Sequence, residues 1–134
     1  GMNACEILIA GGSLAGLAAA IRLKQLGFDP LVVEKARFPR PKLCGEFLGP
    51  DAFPVLETLG AWKTVRQAGY GPVETCWFHG PDGQPVRIAM AWISRRHPYG
   101  LAIPRERLDV LLRDHALGLG IPVLEQTALH PKIE

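Results

Sequence analysis

Short apolar runs and amphipathic stretches alternate at the start of the chain. Residues 6–10 (Glu-Ile-Leu-Ile-Ala) form an apolar run that stops at Gly11, the pattern of a buried parallel strand. From Leu14 the period lengthens. Leu14, Leu17, Ala18, Ile21 and Leu26 fall near helical spacing, Arg22, Lys24 and Gln25 take the polar side, and Gly27 suits the left-handed position just past a helix end. Residues 31–34 (Leu-Val-Val-Glu) return to a β-rich run. Strand, helix and strand within about thirty residues predict a right-handed βαβ crossover.

Prolines then break the pattern. Residues 36–50 carry Pro39, Pro41, Gly45, Gly49 and Pro50, so they predict a long loop rather than a helix. Residues 51–60 and 61–68 read as two short helices, the first with Leu56 and Leu59 on one side. Residues 73–79 and 85–90 flank Gly80-Pro81-Asp82-Gly83, the signature of a β-hairpin, and residues 93–100 are irregular. Pro104 suits the first position of a helix running through Leu119 with Leu108, Leu111 and Leu112 on its apolar side. Gly120 stops that helix, and residues 122–126 predict a third strand for the first sheet. The expected fold is α/β: a Rossmann-like nucleotide-binding domain with a parallel sheet, a βαβ start and an inserted β-hairpin. Residues 1–134 are expected to form one partial domain, with residues 70–100 as the inserted hairpin region and residues 1–5 as a flexible lead. Gly1 ahead of Met2 reads as a remnant of tag removal.

Composition narrows the classes. A length of 134 residues is one domain's worth, 48% hydrophobic residues suffice for a core, and 21% charged residues are ordinary for a globular protein. A net charge of +2 with mixed signs points away from nucleic acid as a partner. The longest apolar stretch, residues 14–21, is far short of the roughly 20 residues that span a bilayer. Cys5, Cys44 and Cys76 are odd in number and widely spaced, which disfavours a disulfide framework and a structural metal site and makes a reducing cytoplasm the expected compartment. His79, His97, His115 and His130 share no spacing and are expected to be structural or exposed; Trp62, Trp77 and Trp92 are expected in core or hairpin packing.

Chemistry concentrates at the first βα turn. Gly11, Ser13 and Gly16 occupy the three positions of the G-x-G-x-x-G spacing, with Gly12, Leu14 and Ala15 between them. The first glycine permits the tight turn, the last lets helix and strand pack closely, and the middle position must be small for backbone to approach a pyrophosphate at the helix N-terminus. Ser13 departs from glycine there but is small and carries a hydroxyl donor. Glu34 ends the second strand, eighteen residues beyond Gly16, where a carboxylate hydrogen-bonds ribose hydroxyls and repels a 2′-phosphate. NADP is therefore disfavoured as the primary nucleotide. The alternative for the same residues is a tight βα turn in some other Rossmann-like domain, with Glu34 as a surface carboxylate.

The insertion after Glu34 decides between FAD and NAD, because an NAD domain returns to its third strand much sooner. Here the chain reads Glu34-Lys35-Ala36-Arg37-Phe38-Pro39-Arg40-Pro41-Lys42-Leu43-Cys44-Gly45-Glu46, and later Arg105-Glu106-Arg107-Leu108-Asp109-Val110-Leu111-Leu112. These segments resemble the FAD-dependent monooxygenase superfamily of aromatic hydroxylase type, and within it the geranylgeranyl reductase-like branch; the tryptophan halogenases are more distant relatives of similar layout. The resemblance covers most of the chain but only the N-terminal third of a full-length enzyme of that kind.

The resemblance implies FAD as cofactor, with NAD(P)H as reductant. It places Arg37 near the ADP half, the loop from Lys42 to Glu46, with Cys44 and Gly45, towards the flavin ring, and Arg105 near the ribityl or pyrophosphate region; Lys35, beside Glu34, is a further candidate for the cofactor site. Positive charge at Arg37, Arg40 and Lys42 suits a pyrophosphate; a solvated basic loop is the competing reading. Cys44 is either a small buried apolar group or a thiol close to flavin. At a helix start Arg105 opposes the macrodipole, which a bound anion would offset, and a surface role stands beside that. The implied activity is oxidation or reduction of a small organic or isoprenoid-like substrate. The superfamily's second FAD motif, an apolar strand ending in Gly-Asp, is expected beyond Pro122, so the chain is read as the N-terminal portion of such an enzyme, incomplete for catalysis by itself and able to self-associate through an exposed sheet edge. Two other readings stay open: a non-catalytic nucleotide-binding fragment, and an NAD-binding dehydrogenase domain.

Overall fold

The three β-rich runs expected in the first sheet come together in a computed structural model, which describes residues 6–38 and 47–130. The lead at residues 1–5 lies outside the described residues, as do the loop positions Pro39 to Glu46. The chain divides into two compact units, one of residues 1–43 and 106–134, the other of residues 44–105.

In the first unit, β1 (Ile7–Ala10) and β8 (Val123–Leu124) both lie parallel to β2 (Pro30–Val33), which is the middle strand of the three. The register pairs Ile9 with Val32, and Val33 with Leu124. Val32 and Val33 are buried, as the continuous apolar pattern of a central parallel strand requires. Helix α1 (Leu14–Gln25) connects β1 to β2 and buries Leu17, Ala20 and Ile21, three residues that recur at i, i+3 and i+4. Its C-terminus closes as the sequence suggests. Gly27 takes φ +92°, its N–H donates to the Lys24 carbonyl at 3.0 Å, and the Phe28 N–H reaches the Leu23 carbonyl at 3.0 Å. That is the Schellman pattern, and only a residue free of a Cβ enters it without strain. Helix α4 (Arg105–Gly118) buries Leu108, Leu112 and Ala116 and ends in the same way at Gly120, after which Ile121 enters the core. Pro104, expected as its first residue, immediately precedes the helix.

The second unit holds a short antiparallel sheet in the order β3 (Phe47–Leu48), β7 (Gly100–Ala102), β4 (Tyr70–Val73). A 3-10 turn (Pro50–Ala52) leads into α2 (Phe53–Thr58), and α3 (Trp62–Ala68) follows. The hairpin forms as expected from β5 (Thr75–His79) and β6 (Pro85–Ala89), with the Gly83 N–H donating to the Gly80 carbonyl across the turn. The run expected as one strand over residues 73–79 is divided. Val73 pairs with Gly100 in the other sheet, and β5 begins only at Thr75. Local pattern marks both pieces as β, but their partners are chosen by segments far away in sequence.

An aromatic cluster fills this unit. The Phe53 ring is buried, lies 4.2 Å from Trp62, and has His97 and Tyr99 within 5.6 Å. His97 Nε2 stands 2.8 Å from Glu57 Oε1, and Arg96 pairs with the other oxygen at 3.0 Å. Of the tryptophans, Trp62 packs as expected. Trp77 lies on β5 of the hairpin and Trp92 packs under Arg87 of β6, with 59% and 68% of their surface in solvent.

Candidate functional site

The glycine turn and Glu34 meet at the carboxyl end of the parallel sheet. Gly11 leaves β1 with φ +107° and gives its N–H to the Val33 carbonyl at 2.8 Å, so the turn is fastened to the end of β2. At Gly16 a Cβ would overlap the Gly11 carbonyl oxygen, so helix and strand approach as closely as a glycine allows. A Cβ on Gly12 would lie 3.0 Å from the Phe38 ring and 3.2 Å from the Glu34 side chain. Ser13 is the N-cap of α1, and its hydroxyl makes no capping bond. The first turn of α1 contains no acidic residue. The N–H groups of that turn, Leu14 and Ala15 among them, therefore form a positive helix end with no carboxylate of the helix upon it, the setting in which an anion is stabilised.

Glu34 is 2% exposed, so the surface-carboxylate alternative fails. Its Oε1 accepts the Gly12 N–H at 3.0 Å and its Oε2 accepts the Ala36 N–H at 2.6 Å. Two backbone donors satisfy a buried charge and fix its orientation.

Beside Glu34 lies a cavity of about 440 Å³ lined by Ala10, Gly11, Val33, Glu34, Lys35, Thr127, Ala128 and Leu129. The last three residues were missed in the sequence. The available signal was topological: they follow the third parallel strand, and ligands of open α/β sheets bind outside the strands' carboxyl ends. The Thr127 N–H bonds the Glu34 carbonyl at 2.9 Å and the Gln126 N–H bonds the Ala36 carbonyl at 3.1 Å, which holds this segment against the end of β2.

The fold thus brings together Gly11, Gly12, Ser13, Gly16, Glu34 and Lys35. Arg37 is exposed and does not line the cavity. Lys42, Cys44 and Gly45 lie outside the described residues. Arg105 opens α4, half-buried, and is assigned to the second unit rather than to the one that carries the glycine turn. Among the described residues no three His, Cys, Asp or Glu side chains gather as a metal ion would require, and no helix is long and apolar enough to cross a membrane.

Comparison with known proteins agrees with this geometry. The family model of the FAD binding domain matches residues 4–132. A tryptophan 2-halogenase of Chondromyces crocatus is 33% identical over 92% of this chain and 23% of its own length. A menaquinone reductase of Mycobacterium tuberculosis is 32% identical over 91% of this chain and 29% of its own. Among solved structures, the flavin-dependent halogenase CmlS superposes with a TM-score of 0.79 at 30% identity, covering 94% of this chain and 23% of the halogenase. The chain therefore spans under a third of each of these proteins.

Proposed function

Since the chain belongs to the FAD binding domain family, whose cofactor is FAD, we propose that it carries the ADP-binding half of the flavin site of a larger oxidoreductase. The observation that carries this reading is the hydrogen bond from Gly12 that fixes Glu34, a residue lining the 440 Å³ cavity. The residues fit the group. Gly11 lines the cavity at a φ that side chains rarely adopt, Gly16 lets helix and strand close where a Cβ would strike backbone, the α1 N-terminus offers donors for a pyrophosphate, and Glu34 offers oriented acceptors for ribose hydroxyls. Thr127, Ala128 and Leu129 would wall the adenine side, with Lys35 at the rim.

Bound FAD supplies redox chemistry at its isoalloxazine ring, and the protein's part is position and electrostatics. In this reading Arg37 and Lys42 add positive charge near the pyrophosphate, Cys44 and Gly45 lie towards the ring, and Arg105 approaches the ribityl or pyrophosphate region. NAD(P)H is the proposed reductant. The substrate is a small organic molecule, with the geranylgeranyl reductase-like branch pointing to an isoprenoid-like one; a menaquinone reductase among the relatives supports the reductase side of this choice, and the halogenases the other. We place the protein in the cytoplasm, with self-association through the open edge of β1.

The test is a titration of the purified chain with FAD, NAD and NADPH, followed by flavin fluorescence. FAD binding without NADPH-driven turnover is the expected result for this portion of an enzyme. Tight NAD binding with no FAD binding overturns the assignment.

A further inference from the structure

Next to the glycine turn three segments converge on one carboxylate. Glu125, just after β8, accepts the Phe38 N–H on Oε1 at 2.7 Å. The same carboxylate accepts Arg113 Nη1 from α4 at 3.3 and 3.5 Å. The Arg113 guanidinium also lies over the Phe38 ring, 5.2 Å from its centre, and Asp114 pairs with its Nη2 at 3.0 Å. Phe38 is 5% exposed, and its ring is the surface against which Gly12 sits. None of these three side chains lines the cavity.

We propose that Phe38, Arg113 and Glu125 are positioning residues for the FAD site: a brace that holds the glycine turn and the Glu34 carboxylate in register for the nucleotide. The proposal rests on the FAD reading above. The path of the effect is short. Glu125 and Arg113 fix where the Phe38 ring lies, and the ring sets how closely Gly12 can approach Glu34. The Gly12 N–H then points at Glu34 Oε1, while the other oxygen is held by Ala36, two residues before Phe38. A planar guanidinium is required on two counts, because it lies over the ring and spans two carboxylates, Nη1 on Glu125 and Nε with Nη2 on Asp114, whereas lysine offers a point charge with neither feature. Glu125 likewise serves twice, as acceptor for a backbone N–H and as counter-charge for Arg113.

The experiment uses the full chain with Arg113→Lys, Glu125→Gln and Phe38→Leu, and Arg95→Ala as an exposed control in the other unit. FAD affinity is read by fluorescence titration, and backbone amide exchange is followed at Gly12, Ala36 and Val32. Arg113→Lys and Glu125→Gln keep length and most packing, and should melt near the wild-type temperature. They are expected to weaken FAD binding about three- to tenfold, the scale of losing a stacked or charge-assisted contact. Exchange at Gly12 and Ala36 should quicken while Val32, bonded to the Pro122 carbonyl within the sheet, stays protected. Phe38→Leu should lose more affinity than either. A merely structural role would leave the ratio of Gly12 to Val32 protection unchanged. Wild-type FAD binding with equal binding by folded Arg113→Lys and Glu125→Gln overturns the brace alone; a wild-type chain that binds no FAD overturns the cofactor reading beneath it.

Discussion

The two units each hold a carboxylate shielded from solvent, and they hold it differently. In the first, Glu34 is buried and both its oxygens accept backbone N–H groups. In the second, the Glu57 side chain is 25% exposed and its oxygens meet the side chains of His97 and Arg96. Backbone donors carry no rotamer entropy, so Glu34 is an oriented acceptor. Side-chain partners consume the charge of Glu57 and tie α2 to the loop that follows Met90. The first arrangement suits a ligand, and the second suits a fold.

The strongest way to break this contrast is to push the glycine turn away from β1. In Gly16→Ala the new Cβ would overlap the Gly11 carbonyl oxygen, which is backbone and cannot step aside without moving the strand exit. Overpacking of this kind costs about 1–3 kcal/mol. We expect a lower melting temperature and loss of measurable FAD binding, read by thermal unfolding and fluorescence titration. Retained affinity in a folded Gly16→Ala protein would mean that close helix–strand approach is not what shapes the site.

Next in size is Glu34→Gln, which keeps the shape and removes the charge. One of the two amides, at Gly12 or Ala36, would then face an NH2 group, and a buried donor left without its acceptor costs about 1–3 kcal/mol. FAD affinity should fall at least tenfold, because the same carboxylate is the proposed ribose acceptor. If stability drops while affinity holds, Glu34 is a structural anchor like Glu57, and the contrast between the units disappears.

The same contrast explains which features were legible in the sequence. The stops at Gly27 and Gly120 are written in local spacing, because each closes on carbonyls within five residues, and the βαβ start and the Gly11–Gly16 turn show in apolar period and glycine spacing even though Gly11 bonds Val33 across the crossover. Glu34 could be placed at a strand end, but its burial could not be read, since that depends on Gly12 twenty-two residues away. Strands β3 and β7 were missed for a related reason. At two and three residues they are too short to establish a period; β3 exists because Phe47 pairs with Ala102 and Leu48 with Leu101, and β7 because it pairs with both β3 and β4. His97 carried no motif at all; Glu57, forty residues earlier, is what gives it a place.

Glu57→Gln is the smallest effect and the sharpest control. The pair with Arg96 is largely in solvent on the arginine side, 73% exposed, so screening leaves it worth about 0–1 kcal/mol. The amide can still accept from His97 through its carbonyl oxygen, and the rings of Phe53 and Trp62 continue to enclose the imidazole. A small drop in melting temperature with unchanged FAD affinity is therefore expected. The informative outcome is the pairing of the two Glu→Gln variants. Identical chemistry removes one negative charge from each unit, and only the carboxylate held by backbone donors should register in the FAD titration. Equal losses of affinity at both sites would show that charge anywhere in the chain tunes binding, and that orientation by Gly12 and Ala36 contributes nothing specific.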